Sequence, residues 1–421
     1  MQPKVILIAV FAVFLLVAPV PAEDFTWTNT ATALQYWDAS GIWSVPGFPR
    51  QAGDVAEFVD LDEYAGVRTV ELNVNDYYTC AVIRCTAQTN RYEVRINTYL
   101  ANGLFMENTS GNAAIILDDS FVSNTPPLMI SGHNLNIVSP TDITVSNAAA
   151  RIEITAAVYG AAPINKYGPG QLRASQTGEY SGTITVNQGE LYCNSPANLH
   201  AATLIARPGA WITYDYGTVQ PAIPASIVLE GGWLFNNGNA PYKALDKLTV
   251  NGQGYVTTKW YHTIFNGSVS GTGTLHTIFK SYYFVGDVRP GFSVGELALR
   301  RDSGTLYFGT NGTPVTLHIE TSPADHDILT FANLDAASTI VLSNINLVVE
   351  GAGTGQNTNW FLVSNRMVAD LEFNSVSYIP GLLGEVIYDY ANNRVGIIAV
   401  PEPAVTLVAA GVLGLLIRRR R

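Results

Sequence analysis

The chain has 421 residues, enough for two or three compact domains or for one elongated array of repeats. Charged residues make up only 14% of it, against roughly 25% in ordinary globular domains, and Thr, Asn, Ser, Gly and Tyr carry the polarity, a mixture suited to strands and turns. The net charge is −11, and with Lys4 and the closing arginines Arg418, Arg419, Arg420 and Arg421 set aside the body is near −16; such a body repels phosphate backbones and excludes nucleic acid as a partner.

Residues 1–22 read MQPKVILIAVFAVFLLVAPVPA: one Lys, an apolar run from Val5 to Ala18, and small residues before Glu23. This is the layout of a secretory signal peptide, so export is expected, with signal peptidase cutting between Ala22 and Glu23. In residues 23–64, read as an N-terminal cap region, Trp27, Trp37 and Trp43 precede Gly53-Asp54-Val55-Ala56-Glu57-Phe58. Cys80 and Cys85 have the separation of a small loop disulfide in an oxidising compartment, which leaves Cys193 unpaired.

From about residue 65 to residue 390, short segments alternate apolar and polar residues and are broken by Gly, Asn, Asp and Pro. Arg151-Ile152-Glu153-Ile154-Thr155, Thr183-Ile184-Thr185-Val186-Asn187 and Val315-Thr316-Leu317-His318-Ile319-Glu320 are examples. Such segments predict half-buried strands, and no long stretch between the two termini has helical periodicity. The choice lies between a sandwich, a barrel and a solenoid.

The segment Lys166 to Leu191, KYGPGQLRASQTGEYSGTITVNQGEL, bears on that choice. It resembles the autotransporter-associated β-strand repeat at Lys166, Gly168, Gly170, Leu172, Tyr180, Ser181, Gly182, Thr183, Thr185, Val186, Gly189 and Leu191, with Glu179 where that family usually carries Thr. Ser270-Gly271-Thr272-Gly273-Thr274-Leu275 and Pro290-Gly291-Phe292-Ser293-Val294-Gly295-Glu296-Leu297 are similar to later sections of such proteins. The resemblance implies an all-β fold, a right-handed parallel β-helix (solenoid). In it corner glycines turn the backbone, Tyr180 and Leu191 stack on neighbouring coils, and Ile184 and Val186 fill the interior. Coils of about 20–25 residues would number roughly 13–16 and build a rod on the order of 60–75 Å long. No outer-membrane barrel pattern follows, so the repeat is expected to serve as a scaffold without self-transport. Strands around Val386–Tyr390 and Val395–Val400, with Asn392-Asn393 suited to the turn between them, are expected to close the far end.

Signals for chemistry are sparse. The six histidines, 133, 200, 262, 276, 318 and 326, lack metal-ligand spacing, and neither a nucleophile elbow nor a phosphate loop occurs. No catalytic, cofactor-binding or metal-binding residue is expected. Asp325-His326-Asp327 reads as a turn with side chains in solvent, against a metal or acid–base site. Asp60, Asp62 and Glu63, and Asp118-Asp119, read as solvated turns, against calcium binding. Two rival functions stay open. Carboxylates meeting on one face of a β-helix would act on polysaccharide. Rows formed from the 21 Tyr and 7 Trp would bind carbohydrate where exposed, or stabilise the coils where buried.

A terminal strand and motif, residues 391–403, lead into Pro401-Glu402-Pro403, a 14-residue apolar stretch and four arginines, the last two parts forming residues 404–421. The stretch is short for a stable membrane span, and the arginines would stay on the cytoplasmic side. This tail resembles a PEP-CTERM sorting signal, the substrate tag of exosortase in Gram-negative-type envelopes; a plain C-terminal anchor is the alternative. The resemblance implies a short C-terminal hydrophobic helix and an inner-membrane intermediate. A place at the cell surface or in the extracellular matrix then follows, with a structural or adhesive role toward exopolysaccharide or other surface proteins.

Overall fold

The computed structural model describes residues 22–401 apart from 62–65, 73–76, 98–102, 119–127, 176–177, 195–201, 216–222, 238–244, 260–261, 292–293, 310–313, 323, 339, 352–357, 368–370 and 380–381. The described chain is all-β, with short strands and no α-helix. It winds in coils, and successive coils add strands to two long parallel ladders. The first ladder stacks fifteen strands, from Asp24–Thr26 to Ser375–Tyr378. The second stacks fourteen, from Gln35–Tyr36 to Asn359–Ser364. A third side carries two groups of short parallel strands, from Tyr78–Cys80 to Ala157–Gly160 and from Thr263–Phe265 to Thr305–Phe308. The architecture is a parallel β-solenoid.

Alternation sends every second residue inward, and register then stacks like upon like. Leu128, Ile152, Leu172, Leu191, Ile212, Leu234 and Val256 form one continuous buried row on the second ladder. Each such side chain contributes about 1.5–3 kcal/mol through burial. Two long strands, Leu245–Thr258 and Ser268–Ile278, bend round the corner and serve both ladders. The bend rests on glycine: Gly273 has φ 139°, and a Cβ there would lie 1.9 Å from the Gly252 carbonyl. The expected coil length of 20–25 residues holds in the middle, where Lys166, Val186 and Ala206 advance by 20. It fails nearer the ends, where Ile83 to Ile115 spans 32 and Leu317 to Leu347 spans 30. The former of these coils carries a third-side strand, Leu104–Met106, which lengthens the circuit.

At the N-terminal end Trp27, Trp37 and Trp43 are buried with Phe58 in edge-on and tilted contacts of 5.2–6.3 Å. The Trp43 indole N–H donates to the Trp37 carbonyl, and that of Trp37 to the Pro49 carbonyl, both at 2.8 Å. At the other end the pairing reverses. Arg394–Pro401 runs antiparallel to Asn359–Ser364 on one flank and to Leu382–Asp389 on the other, with left-handed Asn393 in the turn. These are the two strands and the turn expected from the sequence.

The expected disulfide is absent. Cys80 ends a third-side strand and Cys85 ends a first-ladder strand, with the chain turning a corner at Ala81 between them. Both are buried free thiols, as is Cys193. The corner assigns the two thiols to different sides of the coil, where each packs as a small apolar group. Burial pushes the Cys85 thiol up to about 12.

Candidate functional site

Most of the repeat-motif residues join one coil to the next. Lys166 lies in an inward row between Ile143 and Val186 and is fully buried. Its Nζ reaches the corner and donates to the carbonyls of Tyr167 (2.8 Å), Gly168 (2.7 Å) and Gln188 (3.2 Å). Burial draws its pKa down to about 7, and Glu190 opposes the shift. The left-handed Gly168 and Gly189 make the two corner turns beside it. Gly170 and Gly182 are needed for closeness: a Cβ would lie 2.4 Å from the Asn147 carbonyl and from the Tyr180 hydroxyl, respectively. Tyr180 is buried and donates to the Ala162 and Thr183 carbonyls at 2.8 and 3.1 Å. Leu172, Leu191 and Val186 are core residues, Thr185 is half-buried and faces outward, and Glu179 is exposed.

The outward face of the second ladder carries a continuous stack of four rings. Arg151, Gln171, Glu190, Trp211, Trp233, Tyr255, His276 and Arg300 occupy one register row on successive coils. The four rings stack nearly parallel at 4.6, 4.5 and 4.6 Å, with interplanar angles of 14°, 14° and 25°. The row ends in polar contacts: His276 lies 2.7 Å from both Asp302 and Gln253. On the neighbouring row Phe235 meets Trp211 edge-on at 6.3 Å, and Arg173 lies over the Tyr192 ring at 5.2 Å. The Tyr192 hydroxyl donates to Asp215, which also accepts from Asn237. Burial and the Asp215 carboxylate push this phenol up to about 12. A groove of about 820 Å³ opens beside the end of the stack, lined by Pro169, Gln188, Glu190, Pro208, Trp211 and Phe235. A second hollow of about 270 Å³ continues it past Pro169 and Glu190 to Gln171 and Arg151.

A polar cluster on the first ladder is the other gathering of chemistry. His318 lies between Glu350, at 2.9 Å from Nδ1, and Arg289 and Asp287, at 3.4 and 3.9 Å from Nε2. Arg289 also faces the Glu350 carboxylate at 3.8 Å, so the cluster is a polar contact joining three coils. Nearby, Asp327 departs from the expected solvent-facing turn. Asp325 is exposed and His326 partly so, but Asp327 is buried, because its carboxylate accepts the Gly295 and Glu320 amides at 2.9 and 2.8 Å. Burial, aided by Glu320 and Asp325, pushes its pKa up to about 7. Nothing in the residue pattern marks this carboxylate as the acceptor that ties Gly295 to Glu320.

Asp60 accepts from the amides of Gln88, Thr89 and Asn90 and so orders a turn. These donors hold its carboxyl below the ordinary 3.8 against the effect of burial. Among the described residues, no group of three His, Cys, Asp or Glu is arranged to hold a metal ion. Also among them, no helix is long and apolar enough to cross a membrane. Residues 1–21, Asp62, Glu63, Asp119, His200, Phe292, Ser293, and the tail from Glu402 through Pro403 to Arg418, Arg419, Arg420 and Arg421 lie outside the described residues.

The aromatic row did leave a trace in the sequence: Trp211, Trp233, Tyr255 and His276 recur at intervals of 22, 22 and 21, the length of a coil. No family model matches the chain, and no curated protein matches it either.

Proposed function

We propose that the chain is an exported surface protein with a structural and adhesive role, built as a right-handed rod without catalysis of its own. The hand follows from chain sterics, since crossovers between parallel strands of one sheet are right-handed in about 98% of cases. Signal peptidase cuts after Ala22. The short apolar tail then holds the chain in the inner membrane until exosortase acts near Pro401-Glu402-Pro403, and the rod passes to the cell surface or matrix.

The observation that carries this reading is the use made of the repeat motif. Lys166, the corner glycines, Tyr180 and the row leucines are all engaged in joining coil to coil. That leaves the outward rows as the surface open to a partner. The start of the fold also suits the expected cut: the Glu23 amide donates to Asp54 at 3.2 Å, and the first strand begins at Asp24.

The test is intact-mass measurement and fractionation of the protein in its host. The expected product lacks residues 1–22 and everything beyond the Pro-Glu-Pro motif, and lies in the surface or matrix fraction. Glu402→Gln, or deletion of the four arginines, should leave uncut protein in the inner membrane. Normal display of both variants would overturn the sorting route.

A further inference from the structure

We propose that the groove at the end of the aromatic stack is a glycan-binding site, with Trp211 as the platform for a pyranose ring. The proposal gives the adhesive reading a ligand class and rests on it. Trp233 and Tyr255 each have a ring on both faces, so only their edges are free. Trp211 differs. Among the described residues its ring partners are Trp233, stacked on one face, and Phe235, edge-on. Its other face turns toward the preceding coil, where the same row position holds Glu190 instead of a ring. A carboxylate side chain cannot cover an indole, and the space left over is the groove.

The lining selects the occupant. The C–H face of a sugar ring carries a weak positive potential that complements the negative face of an indole. Its hydroxyls need acceptors and donors close by, and the groove supplies the Glu190 carboxylate and the Gln188 amide. Glu190 is held in place by Gln171, whose amide donates to it at 2.7 Å. Pro169 and Pro208 provide a flat apolar floor that suits hydrocarbon and not charge. An aliphatic peptide would give the Gln188 amide and the remaining Glu190 oxygen no hydrogen bond, whereas a neutral sugar uses both halves of the lining. Successive positions on the row are about 4.8 Å apart, so a chain lying along the axis would meet ring, carboxylate, amide and then the Arg151 guanidinium. The ligand expected is a neutral hexose polymer, bound without chemical change.

The experiment titrates the full chain with cellohexaose, mannohexaose and maltohexaose, followed by tryptophan fluorescence and calorimetry. At least one should bind with Kd at or below about 1 mM. Trp211→Ala and Glu190→Gln should each weaken it by roughly tenfold or more, while Tyr283→Ala, in the separate ring stack of the third side, should leave it unchanged. If Trp211→Ala lowers the melting temperature, Trp211→Phe decides together with Glu190→Gln: the first should keep most of the binding and the second should lose it. Binding by none of the three sugars, or equal binding by Trp211→Ala or Glu190→Gln, would overturn the proposal. Surface fractionation is read separately. Correct display without sugar binding removes the glycan site alone, and sugar binding by a misplaced protein removes the sorting route alone.

Discussion

At the scale of single residues, two buried ionisable groups each make stability depend on pH, and they act in opposite directions. Asp327 has a folded pKa near 7 against an ordinary 3.8. Its contribution is therefore complete below pH 3.8 and is lost as pH rises through about 7. Lys166 also sits near 7, against an ordinary 10.5. Its contribution is complete above pH 10.5 and is lost as pH falls through about 7. Together they are least favourable near neutrality. Comparing wild type with Lys166→Met by urea unfolding should show their stability difference growing by about 1 kcal/mol per pH unit between pH 7 and pH 10. The difference between wild type and Asp327→Asn should shrink at a similar rate from pH 4 to pH 7. Flat differences in both series would remove the burial argument. The cysteines carry a simpler expectation: with three free thiols in the fold, a reductant should leave the melting temperature unchanged.

At the scale of elements, the two ends of the solenoid are closed by different means. One end is filled by rings. Trp43 touches Phe25, Trp27, Trp37 and Phe58, so Trp43→Ala should cost about 3–5 kcal/mol. The loss should appear in thermal melts followed by near-ultraviolet circular dichroism; a change within error would show that these rings do not hold the first coil. The strands of the two ladders were legible in the sequence because period-2 alternation survives wherever one side faces the core. Arg151–Ile154 and Thr183–Val186 lie where alternation places them. The third side was not legible. Segments such as Tyr78–Cys80 and Leu104–Met106 have three residues each, too few to display a period. The Cys80–Cys85 disulfide failed for a related reason, since a corner of one residue, Ala81, leaves no mark in composition. The place of Lys166 among aliphatic side chains was not legible, because a charged residue in an inward row reads as a solvent-facing one.

At the scale of the whole molecule, coil length decides which outward residues meet. The aromatic row exists because coils of 22, 22 and 21 residues keep Trp211, Trp233, Tyr255 and His276 in register, whereas the 29- to 30-residue circuits further on bring His318 between Arg289 and Glu350. The candidate groove was thus half legible: the spacing was in the sequence, but the open face of Trp211 depends on Glu190 standing at the preceding position. The closing hairpin has a mechanical consequence. Arg394–Pro401 is the central strand of three, with antiparallel neighbours on both flanks. A chain tethered beyond Pro401 and pulled along that strand loads its hydrogen bonds in parallel, all at once, instead of peeling them one after another. Drag on the rod would have to break this joint as a unit before the coils behind it began to unwind from their end.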